Sequence, residues 1–175
     1  DVCGWVADGM QRAGVDEAPA AARDYLGWVA RRSGLLLPRG DGIYAFVHLS
    51  FQEYFCACYL AERMLSPAFI RTGSSSDGTV SRQGLHGWAE DAVWRETLVF
   101  LFEKLSAERD PGWVDDLAET VFSDPSQASM NVPTREDPSL ALAARIVGDR
   151  HVRLRESIRN ELIRRCVQRA VEEWQ

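Results

Sequence analysis

Two short apolar runs, Leu35–Leu37 and Ile43–Val47, flank Pro38-Arg39-Gly40-Asp41-Gly42. Runs rich in branched and aromatic residues suit a pleated strand, and a Pro/Gly/Asp turn between two of them is the signature of a β-hairpin. Elsewhere the apolar residues recur at helical spacing. A chain with one hairpin among many amphipathic helices is restricted to a mainly α architecture.

The order of elements narrows the choice further. Val2, Trp5, Val6 and Met10 place a helix over about 2–13, with Gly14 as its stop. A second helix over 20–33 carries Ala22, Tyr25, Leu26, Val29 and Ala30 on one side. Arg31 and Arg32 suit the negative end of its dipole, and Gly34 suits a left-handed cap. Helix, helix, hairpin is the order expected at the end of a winged-helix domain.

Ser50 then opens the most apolar helix, with Glu53 three residues on. That pattern predicts a capping box, in which the serine oxygen accepts from the Glu53 N–H and the carboxylate returns to the Ser50 N–H. Phe51, Tyr54, Phe55, Cys58, Tyr59 and Leu65 make one stripe, and Cys56, Ala57, Leu60 and Met64 add apolar surface elsewhere. The helix is therefore expected to be a strut buried on several sides, with Phe46, Phe51, Tyr54, Phe55, Tyr59 and Trp94 as structural core. Thr72–Ser81 is polar, glycine- and serine-rich, and reads as a mobile loop with nothing to anchor it.

Further helices are expected over about 89–105, 113–122, 139–148 and 152–174, with a proline-bearing loop over 123–138. The predicted organisation is a winged-helix-like end with hairpin and central helix over 1–66, a flexible connection over 67–81, and a helical domain, bundle or superhelical array, over 82–175. No internal sequence repeat accompanies it.

Composition removes several functions. The chain has 175 residues and a formal charge of −6. Lys and Arg neutralising phosphates supply most non-specific nucleic-acid affinity, so an acidic chain argues against a nucleic-acid partner. No apolar run is long enough to span a membrane and no signal-peptide pattern opens the sequence, which makes a cytoplasmic location the expectation. Cys3, Cys56, Cys58 and Cys166 lack CxxC spacing and read as small buried hydrophobes with free thiols. His48, His86 and His151 have no cysteine or carboxylate at ligand spacing, so no metal site is expected. There is no GxxxxGK[ST] loop and no apolar strand ending in an acidic pair for Mg²⁺, and no GxSxG elbow. No catalytic residue is assigned, and no cofactor is expected on this chain.

The segment Arg32-Ser33-Gly34-Leu35-Leu36, then Tyr44-Ala45-Phe46-Val47-His48-Leu49-Ser50-Phe51-Gln52-Glu53-Tyr54-Phe55, then Tyr59-Leu60 resembles the end of the winged-helix region in NACHT NTPases. These are nucleotide-switched signalling ATPases of the STAND class, among them animal NOD-like receptors and many bacterial defence proteins. The strand end, histidine, helix start and aromatic stripe stand in fixed register. Trp94-Arg95-Glu96-Thr97 is similar to a tryptophan-led helix that follows in such proteins. The resemblance implies a regulatory and scaffold segment of an NTPase in innate immunity or anti-phage defence. ADP or ATP with Mg would be held by an upstream nucleotide-binding domain of the same chain, and activation would bring self-oligomerisation. A sequence that starts without Met inside a helical stretch fits a piece of a longer protein.

The resemblance also implies that His48 reaches the phosphates of bound ADP. A histidine between a strand end and a helix start is placed where unpaired N–H groups and the positive dipole end favour anions. The competing role for His48 is a hydrogen bond to a neighbouring backbone carbonyl, and for Glu53 it is the cap alone. Two other functions compete with the switch. One is a free-standing helical protein-interaction module with an exposed apolar groove. The other is a winged-helix DNA binder using Arg23, Arg31, Arg32 and Arg39, against which Tyr25, Leu26, Trp28 and Val29 read as packing residues.

Overall fold

A computed structural model describes residues 2–40, 43–108, 111–122 and 138–173. Among these the chain is mainly helical with one two-stranded antiparallel sheet. It divides into two compact units, residues 1–52 and 53–175. The division lies within a single helix, between Gln52 and Glu53, and the stretch 67–81 expected to separate two domains belongs wholly to the second unit.

In the first unit, α1 (Val2–Arg12) and α2 (Ala18–Arg32) pack together ahead of β1 (Leu36–Gly40) and β2 (Ile43–Phe46). Pro19 stands in the first turn of α2, where its missing N–H costs nothing. Gly34, at φ 64°, takes the left-handed cap position anticipated after Arg32. In the hairpin Leu36 pairs with Phe46, Leu37 with Ala45 and Pro38 with Tyr44, and the register slips before Gly40 meets Ile43. Among the described residues the buried apolar side chains of this unit are Ala7, Ala18, Ala22 and Leu26. Tyr25 and Trp28, expected to pack, are instead 49% and 55% exposed and stack on each other on the outer face of α2.

The second unit holds the main core. Its centre is α6 (Arg95–Glu108), whose Leu98, Leu101, Phe102 and Leu105 are fully buried. Around it pack α7 (Pro111–Val121) and α8 (Pro138–Gly148), with α9 (Glu156–Glu173) against α8. They contribute Val114, Leu117, Val121, Leu142, Ile146 and Leu162 to one continuous cluster. Trp94, in the short 3₁₀ turn before α6, stacks on Trp88 at 4.4 Å and 11°. It packs against the core from its edge and is only partly buried.

The helix that follows the hairpin, α3 (Leu49–Met64), reverses the expected burial. Its inward stripe is Ala57, Leu60, Ala61 and Met64, spaced i, i+3, i+4 and i+7. The small and aliphatic side chains take the buried face, and the bulky aromatics lie on the other sides of the helix. Tyr54 and Phe55 are accordingly 44% and 45% exposed, and Phe46, Phe51 and Tyr59 are half-buried. None of the six residues expected as core is fully buried. The four cysteines are half-buried as well, and none of them is in a disulfide.

Residues 67–81 also depart from expectation. Pro67–Thr72 forms α4, capped by Ser66, whose hydroxyl accepts from the Phe69 N–H at 3.3 Å. The following loop is tied down by Asp77. Its carboxylate accepts from the Ser75 hydroxyl at 2.7 Å, the Thr79 hydroxyl at 2.7 Å and the Thr79 N–H at 3.1 Å. It also pairs with Arg63 at 3.1 Å. The Ser75 hydroxyl accepts from the Val80 N–H, and the Val80 side chain is fully buried. Polar composition does not mean lack of structure in this stretch, because serine and threonine satisfy the loop internally through side-chain bonds to backbone. Then α5 (Arg82–Ala89) begins under a Ser81 cap. Gly84 and Gly87 hide this helix from periodicity and propensity alike.

The last helix begins at Glu156, later than the expected 152. Two N–H groups before it are held by distant side chains: that of Arg153 donates to Ser106 Oγ and that of Arg155 to Asp115. The expected loop over 123–138 lies outside the described residues, apart from Pro138 at the start of α8.

Candidate functional site

The strand-to-helix junction at His48 is assembled from local backbone. β2 ends at Phe46, residues 47–48 bend, and α3 starts at Leu49. The Val47 N–H donates to the Leu35 carbonyl at 2.9 Å, which extends the hairpin pairing to the bend. The His48 carbonyl then accepts from the Phe51 N–H at 3.1 Å and closes the first turn. His48 therefore occupies the residue just before the helix.

Its imidazole is exposed and lies 5.9 Å from the Phe51 ring, tilted by 51°. Among the described residues no hydrogen bond or ion pair engages the two ring nitrogens, so the expected alternative of a bond to a neighbouring carbonyl is not made there. An imidazole in this position can donate to an anion approaching the start of α3.

Ser50 and Glu53 are placed differently from the sequence expectation. Because α3 begins at Leu49, Ser50 is the second helical residue and cannot serve as the cap. The reciprocal bonds of a capping box are not formed between Ser50, which is exposed, and Glu53, which is half-buried. Of the residues expected around it, Phe51 contacts His48. Tyr59 and Trp94 are placed elsewhere: Tyr59 stacks under Arg63 at 4.9 Å, and its hydroxyl lies 3.3 Å from Thr79.

Charged groups in the second unit are largely engaged with one another. A shallow cleft of about 380 Å³ is lined by Arg82, Gln83, His86, Glu119 and Thr120. Arg82 donates to Thr120 at 3.0 Å and pairs with Asp116 at 3.4 Å, while His86 Nδ1 lies 3.1 Å from the Val121 carbonyl. Asp115, 2% exposed, meets Arg155 Nε at 2.5 Å. That contact is off the hydrogen-bond direction, so it acts as an ion pair, and the directed bond is the one from the Arg155 N–H at 2.9 Å. The hydroxyls and N–H around Asp77 hold its carboxyl far below the ordinary carboxylate range. Neither Asp77 nor Asp115 stands out in the sequence, since a lone carboxylate without periodic context carries no signal before its partners are known. Among the described residues no group of three or more His, Cys, Asp or Glu could hold a metal ion, and no helix is long and apolar enough to cross a membrane.

Two helices followed by a two-stranded wing define the first unit as the helix-turn-helix and wing of a winged-helix domain. Residues 6–60 match the family described as the winged helix-turn-helix domain C-terminal to NACHT, and this stretch is a NACHT-associated winged-helix region. No curated protein and no solved structure matches the chain.

Proposed function

We propose that the chain is a switch and scaffold segment of a NACHT-class signalling NTPase, in which an upstream NACHT domain of the same protein holds ADP or ATP with Mg²⁺. The observation that carries this reading is the coincidence of the family match over residues 6–60 with an exposed His48 at the strand-to-helix junction. In the resting protein His48 donates to a phosphate oxygen of ADP. Contacts that differ between the ADP and ATP states bias the segment between two arrangements, and the helices after it relay that bias. The chemistry of hydrolysis belongs to the upstream domain; this segment supplies one donor and the frame that positions it. Exchange of ADP for ATP leads to self-oligomerisation, and the setting is innate immunity or anti-phage defence in the cytoplasm.

The test uses the full-length protein. A hydrogen bond to a charged group contributes about 1.5–3 kcal/mol, so His48→Ala is expected to weaken ADP retention by about tenfold or more and to raise basal signalling. Nucleotide content after gel filtration reads the first effect directly. Unchanged retention together with unchanged signalling would overturn the assignment.

A second reading is favoured by one observation in the last helix. Ile163, Val167 and Val171 form an exposed apolar stripe at i, i+4 and i+8 of α9. A stripe of that kind suits a helix-in-groove or helix-on-helix partner. Binding of a partner peptide to the isolated chain, independent of nucleotide, would support an interaction module in place of the switch.

A further inference from the structure

We draw no further inference here: the strongest candidate, the exposed Tyr25–Trp28 stack on the outer face of α2 beside Arg31 and Arg32, is an unpartnered face, and nothing in the structure shows what covers it.

Discussion

The two units divide labour in opposite ways. Residues 1–52 carry the histidine, the wing and most of the family match, yet among the described residues their buried apolar side chains are three alanines and one leucine. Residues 53–175 hold nearly all of the described buried core, yet beyond α3 only Trp94-Arg95-Glu96-Thr97 resembles anything in the family. Recognisable sequence and folding energy therefore sit in different places. A core needs only apolar residues of fitting size, so a stretch can be well packed and still carry no recognisable pattern.

The sharpest challenge to this contrast is Phe102→Ala. The ring is fully buried in α6 and stacks 6.0 Å from Phe122, so its loss should cost about 3–5 kcal/mol in denaturant unfolding of the second unit. A cost below about 1 kcal/mol would mean that α6 is not the energetic centre. Leu26→Ala probes the other side. Among the described residues Leu26 is the largest buried side chain of the first unit, and a core of small residues that can collapse around the gap sets the cost near the lower end, about 2 kcal/mol. Hydrogen exchange should register it as faster exchange of α1 and α2 amides; a penalty equal to that of Phe102→Ala would erase the contrast.

Smaller effects sharpen the picture within the second unit. Asp77→Asn removes a charge that three donors and Arg63 converge on. Faster exchange at the Thr79 and Val80 amides is expected, with α6 amides unchanged; an unaltered loop would show that the serine hydroxyls suffice. The smallest effect is on pH dependence in α9. Hydrogen bonds from Arg164 and Arg165 lower the Glu161 carboxyl to about 2. A folded value below the unfolded one means that the stabilisation is complete above the ordinary carboxylate value, near 4.3, and is lost as pH falls through the folded value. Glu161→Gln should therefore flatten the acid limb of helicity in α9, as followed by circular dichroism between those pH values.

The same contrast explains how much is legible in the sequence. Helices α1, α2, α6, α7, α8 and the hairpin are readable because spacing and stop residues such as Gly34 act locally. The position of His48 between strand and helix is readable for the same reason. Burial on α3 is not, because Tyr54 and Ala57 are both apolar by any periodicity, and only tertiary packing, which no local pattern encodes, decides that Ala57 is buried and Tyr54 exposed. The capping box fails by two residues: helix entry is set by where the hairpin pairing ends, at Val47, and the serine, two positions after His48, follows too late to cap. The Asp77 loop is illegible because part of its order comes from Arg63 and Tyr59, residues of another helix.

The pinned stretch before α9 has a consequence for the order of assembly. The Arg153 and Arg155 N–H groups find their acceptors in Ser106 and Asp115, 47 and 40 residues earlier in the chain. Neither acceptor is presented until α6 and α7 have formed, and closing such long loops is slow because their entropy must be lost before any bond rewards it. The entry to α9 is therefore expected to lock after the core it rests on, so that pulse-labelled hydrogen exchange should protect α6 and α7 before the Arg153 and Arg155 amides.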